Sequence, residues 1–171
     1  MGCMLMKQKN LLLLWGVTGS GKSTWVQQQI VLNGGKQISR DEIRFAMVRE
    51  DEDYFAHEDE VFEKFIHDVN EALLFYNDVY VDATHLNERG RNKVLSRIKN
   101  IASININPVN FIVPVETCIE RNEMRVGRAV VPRSVVRRMH AQFMPAKDCE
   151  QYDYNEIVTI KSWKGNVKWF F

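Results

Sequence analysis

The sequence predicts an α/β fold: a parallel sheet with helices on both faces. Three observations carry that prediction. Short apolar, strand-like runs alternate with helical stretches along the chain, and the joints between them are short. The first apolar run, Leu11–Trp15, also breaks into a glycine-rich turn that opens into a helix.

That turn is the centre of the sequence. In LLLLWGVTGSGKSTWVQQQI, Gly16, Gly21, Lys22 and Ser23 fit the phosphate-loop pattern G-x-x-x-x-G-K-[ST]. Glycines let the backbone bend around a phosphate chain, so that successive N–H groups point inward. The following helix begins with unpaired N–H groups and the positive end of its dipole, which favour an anion. In such a loop the lysine reaches the β- and γ-phosphates and the hydroxyl binds Mg²⁺. Gly16, Thr18, Gly19, Ser20, Gly21, Lys22, Ser23 and Thr24 are therefore the expected contacts of ATP, with Mg²⁺ on Ser23. The bland alternative is an ordinary glycine-rich strand-to-helix turn. Strand, loop and helix arriving in the required order favour the phosphate loop.

The remaining elements follow in order. The first helix runs from Ser23 to about Leu32 and ends at Asn33-Gly34-Gly35, residues that tolerate a left-handed backbone. Lys36–Ile38 is a short strand, and Ser39-Arg40-Asp41-Glu42 has the S-x-x-E spacing of a capping box before a small helix to about Val48. Between Glu58 and Phe75, Val61, Phe62, Phe65, Ile66, Val69, Leu73 and Leu74 recur at helical spacing. Val79–Asp82 is a third strand ending on an acid, and Glu88 to Ala102 reads as one basic helix. Val109–Val113 is a fourth strand, Glu116 to about Arg125 a helix, Gly127–Pro132 a loop and Arg133–Phe143 a helix. Ile157–Ile160 is a fifth strand. The tail SWKGNVKWFF suggests a hairpin about Gly165-Asn166, with Trp163, Trp169 and Phe170 covering the core rather than stacking on bases.

Bulk properties narrow the function classes. The chain has 171 residues, 45% apolar and 26% charged, as expected of a single soluble globular domain. A formal net charge of +1 argues against a uniformly basic nucleic-acid binder. The charge is segregated, however. Acids dominate from Asp41 to Asp78, whereas Arg89, Arg91, Lys93, Arg97, Lys99, Arg121, Arg125, Arg128, Arg133, Arg137 and Arg138 make the following half basic. Such a run is either a solvated helix face or a guide for a polyanion. Cys3, Cys118 and Cys149 share no metal or disulfide spacing, which points to a reducing, cytoplasmic setting. The start of the chain reads as a buried strand flowing into the loop rather than as a signal peptide. Gly2 lacks the Ser or Thr of a myristoylation site, since Met6 stands there, and no segment approaches membrane-spanning length.

Among phosphate-loop proteins, a GTPase needs N-K-x-D. Asn92-Lys93 is followed instead by Val94-Leu95, and no suitable D-x-x-G appears. A small kinase fits the length. It needs a base or anchor for the acceptor hydroxyl, an acid near Mg²⁺ and arginines that close over the transferred phosphate.

Four places spread over most of the chain supply such residues: GVTGSGKSTW, SRDEIR, VDATHLNERGR and RNEMRVGRAVVPRSVVRRMH. In these the sequence resembles the kinase domain of bacteriophage-type polynucleotide 5′-hydroxyl kinases. The resemblance implies a P-loop kinase fold with a five-stranded parallel core in the order 2-3-1-4-5 and a small helical lid at about residues 121–133. It implies that Lys22 and Ser23 hold the triphosphate and Mg²⁺, that Asp41 is the general base, and that Arg44 grips the acceptor phosphate. Asp82 would lie beside the acceptor or the metal, with Thr84 next to it on the substrate. Arg125 would be the lid arginine on the donor phosphates, with Arg128 competing for that place. The partner would be a nucleic-acid 5′-OH end, in a repair setting and away from membranes. His85 stands where the family commonly has Asn, and no D-x-D-G-T phosphatase motif is present.

Other readings of the same residues stand beside these. Asp41 also suits a first-turn acid favoured by the helix dipole, with Arg44 its surface ion-pair partner three residues on. Asp82 also suits a turn cap, and either Arg121 or Arg125 suits a solvated or packing residue. A small-metabolite or nucleoside kinase, and a nucleotide-binding switch without transfer activity, are the rival functions.

Overall fold

A computed structural model describes residues 8–84, 87–147, 151–152, 154–163 and 166–170, with backbone alone for 162–163 and 166–170. Gly2, Cys3, Met6, His85, Cys149, Gly165 and the side chains of Trp163, Trp169 and Phe170 lie outside the described residues.

Among the described residues six strands form one sheet: β1 (Lys9–Trp15), β2 (Lys36–Ser39), β3 (Asp78–Asp82), β4 (Ile104–Ile112), β5 (Val158–Trp163) and β6 (Asn166–Phe170). Their order is β2-β3-β1-β4-β5-β6. The first five are parallel in the expected order 2-3-1-4-5, and β6 pairs antiparallel with β5. The α-helices described between the parallel strands are α1 (Lys22–Asn33), α2 (Arg40–Met47), α3 (Glu58–Phe75), α4 (Glu88–Leu95), α5 (Val115–Glu123) and α6 (Arg133–Gln142).

Strand β1 explains why its sequence is a continuous apolar run rather than an alternating one. Leu11 and Leu13 pack with Val79, Val81 and Ile106 against Phe62, Phe65 and Val69 of α3 and Val94 and Leu95 of α4. Leu14 faces the other side, with Tyr80, Val109, Phe111 and Ile160, against Trp25 and Val26 of α1. A strand buried on both faces needs apolar residues at every position. A third cluster joins Val17 and Val113 to Cys118 and Ile119 of α5 and Val136 of α6. It seats the α5–α6 pair beside the loop.

Two expectations are corrected. The basic helix expected to run from Glu88 to Ala102 ends at Leu95. Arg97 and Ile98 donate to carbonyls three residues back, and Asn100 takes a left-handed φ of 55° before a short 3₁₀ turn at Ile101–Ser103. Strand β4 then begins at Ile104, five residues ahead of the expected Val109, because Asn105, Asn107 and Pro108 resemble a loop in sequence. Pro108 is tolerated for a geometric reason. Ile106 exchanges hydrogen bonds with Asn155, so the backbone of residue 108 faces the same side, and there pairing with β5 begins only at Val109. Strand β5 runs to Trp163, three residues past the expected Ile160, because it pairs with β6 over that stretch, and the remaining helix and strand ends fall within two residues of their expected places.

The basic half is also less available than its sequence suggests. Arg91 is 1% exposed and lies over the Trp15 ring, 4.2 Å from its centroid. Arg97 pairs with Glu63, Arg133 with Glu123 and Arg137 with Glu116. The run is therefore partly core and partly neutralised surface.

Candidate active site

The parallel strands end at one edge of the sheet, and the loop between β1 and α1 sits there. Gly19 has φ +79°, and a Cβ on it would stand 2.2 Å from the carbonyl oxygen of Cys118 in α5. Only glycine satisfies both constraints. Gly19→Ala should therefore lower stability by about 3 kcal/mol or more, through strain and a displaced α5. Denaturant unfolding checks this, and a midpoint within error of wild type would contradict the packing.

The loop is shaped for an anion. Gly21 starts α1 at φ 99°, and among the described residues no side chain caps that end. The Ser20 hydroxyl is buried with no hydrogen-bond partner among the described residues. Uncapped helix N–H groups and an orphaned buried hydroxyl are what a phosphate chain satisfies. The residues fit the nucleotide.

Lys22 is buried, and its Nζ donates to the carbonyls of Gly16 and Val17 at 2.9 and 3.1 Å. Burial holds its pKa below the usual 10.5, against the attraction of Asp82 and then Asp41, while the positive charge of Arg125 adds to the lowering. Groups from three separate parts of the chain thus act on one ammonium. Asp82 ends β3, and its Oδ2 accepts from the Ser23 hydroxyl at 2.8 Å and from Gln37 Nε2 at 2.8 Å. A hydroxyl beside a carboxylate at the start of a phosphate-binding helix is the donor set of a hard divalent cation, so Ser23 and Asp82 fit Mg²⁺.

Helix α2 carries the second half of the site. Ser39 caps it, its hydroxyl accepting from the Glu42 N–H at 3.3 Å as the capping box requires. That start places Asp41 and Arg44 one turn apart. Arg44 is 5% exposed, so the pair is not an isolated surface one. Its guanidinium donates to Asp41 Oδ1 at 2.9 Å, Tyr54 Oη at 3.2 Å and Glu58 Oε2 at 2.6 Å, and Glu58 also pairs with Arg40. Tyr54 lies under the guanidinium with its ring centroid at 4.7 Å, and its hydroxyl donates to Asp41 Oδ1 at 3.1 Å. Desolvation and the neighbouring Asp41 push the Tyr54 phenol above its usual range, so it remains a donor.

The two lid candidates separate in space. Arg125 donates to the Thr18 hydroxyl at 2.8 Å, across the phosphate loop. Arg128 points elsewhere, to the carbonyls of Val48 and Phe45 at 2.7 and 2.8 Å. Thr24 is exposed on the first turn of α1, and Thr84 is half-buried two residues past β3. Sequence reasoning missed Tyr54, Glu58, Gln37 and Asn122. Buried Asn122 donates to the Val131 carbonyl at 2.7 Å and accepts from its N–H at 3.1 Å, closing the base of the loop after α5. Gln37, Tyr54 and Glu58 lie outside the four motif stretches, and Asn122 lies within the last of them without a role expected of it; each acts through a contact distant in sequence or across a loop.

The fold is the P-loop kinase type, a nucleotide-binding fold. A chain of the Pnkp1/Rnl/Hen1 RNA repair complex is similar, with a TM-score of 0.69 at 22% identity, over 81% of this chain. This chain spans 45% of that one. A gluconokinase from Sinorhizobium meliloti gives a TM-score of 0.57 at 17% identity, over 91% of this chain and 83% of its own. A fungal RNA kinase gives 0.58 at 14%, over 92% and 77%. No curated protein sequence matches the chain. At such identities the likeness is one of fold. Residues 11–146, from β1 to just beyond α6, match the AAA_33 family, described as an AAA domain, and the chain belongs to that family.

Proposed function

We propose that the chain is an ATP-dependent polynucleotide 5′-hydroxyl kinase acting in nucleic-acid repair, a single domain with residues 121–133 as its lid. One observation carries the reading. Arg125, from the segment after α5, reaches the Thr18 hydroxyl of the phosphate loop at 2.8 Å, and α2 carries Asp41 2.9 Å from the buried Arg44. A guanidinium on the donor loop and a carboxylate–guanidinium pair on α2 supply a charge clamp, an acceptor base and its anchor. The RNA repair complex and the RNA kinase among the similar structures support the same acceptor class.

In this reading Lys22 turns from the Gly16 and Val17 carbonyls to the β- and γ-phosphates, and Arg125 closes from Thr18 onto the same oxygens. Mg²⁺ held by Ser23 and Asp82 would neutralise phosphate charge. The acceptor 5′-oxygen attacks the γ-phosphorus, the bond from that phosphorus to the β–γ bridging oxygen breaks, and ADP leaves. Asp41 orients the hydroxyl and takes its proton as the new P–O bond forms. Arg44 takes the acceptor's phosphate, whose oxygens would replace one of the bonds its guanidinium now makes to Asp41, Tyr54 and Glu58.

The test is labelled ATP offered with 5′-hydroxyl oligonucleotides, nucleosides, nucleoside 3′-phosphates and sugars including gluconate. An oligonucleotide and a nucleoside 3′-phosphate should react, and a plain nucleoside poorly. The oligonucleotide KM should rise with salt. With Arg91 buried and Arg97, Arg133 and Arg137 already paired, that rise should be modest. Equal efficiency on nucleoside and oligomer, without salt dependence, would contradict the assignment. A small-metabolite kinase is the second reading, favoured by the 83% of the gluconokinase that this chain spans. Selective transfer to gluconate or another sugar would establish it.

A further inference from the structure

We infer that Arg128 is a positioning residue that latches the segment after α5 onto helix α2, coupling closure over the donor to placement of the acceptor groups. This rests on the reading above, in which α2 holds the acceptor and residues 121–133 cover the donor.

Arg128 is committed to α2 by three contacts. Its two Nη atoms donate to the carbonyls of Val48 and Phe45, and its guanidinium lies over the Phe45 ring, 5.0 Å from the centroid. The last carbonyls of a helix lack partners within it and carry the negative end of its dipole. A planar fork with two parallel donors matches two such carbonyls in a way that a single ammonium does not. Arg125, three residues earlier, reaches Thr18 instead. Between them Gly127 turns the chain at φ +62°, with open space where a Cβ would be. One short segment therefore has one arginine on the donor loop and the other on the acceptor helix.

From Arg128 the contacts continue to both acceptor side chains. The Phe45 ring meets Tyr54 edge-on at 6.0 Å, and the Tyr54 hydroxyl donates to Asp41 Oδ1 at 3.1 Å. Val48, whose carbonyl Arg128 holds, donates its N–H to the carbonyl of Arg44 at 2.8 Å. Drawing the segment toward bound nucleotide thus pulls on the end of α2 and on the residues that fix Asp41 and Arg44. A donor-phosphate contact would use the same nitrogens differently. It would have to surrender two charge-assisted hydrogen bonds and a ring contact first.

The experiment separates KM for donor and acceptor. Arg128→Ala should raise the oligonucleotide KM about tenfold, the worth of a charge-assisted bond, with the ATP KM within about twofold of wild type. An ATP KM that rises as much, or an unchanged acceptor KM with a lower melting temperature alone, overturns the latch in favour of a donor contact or a plain helix cap. Arg128→Gln, with one amide donor, is the milder variant should alanine melt too low, and it should split the two KM values in the same direction. Hydrogen exchange gives a readout that needs no acceptor. A non-hydrolysable ATP analogue with Mg²⁺ should slow exchange in residues 40–47 of the wild-type chain, and not in Arg128→Ala. Absence of that protection in wild type overturns the inference. A wild-type chain that phosphorylates no oligonucleotide sinks the polynucleotide reading, and the exchange result then decides the latch by itself.

Discussion

Lys22→Ala is expected to lower phosphoryl transfer by about two to three orders of magnitude while leaving the fold standing. The side chain is buried, yet its bonds run to the loop carbonyls of Gly16 and Val17 rather than into the core. Removing it loses a desolvated positive charge whose burial is itself unfavourable, so the melting temperature should change little. The transition state loses more, because the ammonium acts where negative charge develops in a water-poor loop. Loss of one such group typically costs about 3–4 kcal/mol of barrier, or 10²–10³ in kcat. Labelled-phosphate transfer together with thermal unfolding checks both halves, and full turnover by the folded variant would remove the kinase reading.

The same residue predicts a pH dependence with a definite sign. Burial, the largest influence, sets the folded pKa of Lys22 below 10.5. The alkaline fall of kcat/KM for ATP should therefore begin below that pH. Asp82→Asn should move it lower still, since Asp82 is the main attraction holding the proton. Stability moves the other way. Between the folded and unfolded pKa values the unfolded chain binds more protons, so this lysine's contribution to stability rises with pH across that window. Below it, the cost of the buried charge is fully present.

Asp41→Asn should lower kcat by about two orders of magnitude or more, the low end of what a positioned base contributes. The substitution keeps an oxygen that can accept from Arg44 and Tyr54, as Asp41 Oδ1 does now. What it loses is charge and basicity. ATP affinity should hold, because the donor is bound by the Gly16–Ser23 loop. The helix should hold as well, with Ser39 still capping through the Glu42 N–H and Glu58 still paired with Arg44. A variant with near-native kcat and a lower melting temperature would make Asp41 a helix-start residue. Asp82 would then be the next acid to test, although its Oδ2 is already engaged by Ser23 and Gln37.

The sequence by itself determined the features that neighbouring residues decide. The phosphate loop lies within eight consecutive residues, the capping box within four, and α3 begins and ends where its apolar spacing does. These rest on backbone geometry and local periodicity, which a short window contains. The strand order came from resemblance to a family and was met by the sheet. Apart from pairs one helical turn apart such as Asp41 and Arg44, tertiary structure decided the fate of the charged side chains. Ser23 meets Asp82 across 59 residues of sequence, and Arg125 meets Thr18 across 107. Arg91 and Arg128 read identically in a basic run, yet one is buried on Trp15 and the other clamps the end of α2. A long stem and five donors let an arginine find whichever carboxylate, carbonyl or ring the fold brings within reach, near in sequence or far. That proximity exists only once the sheet has set the order of its strands.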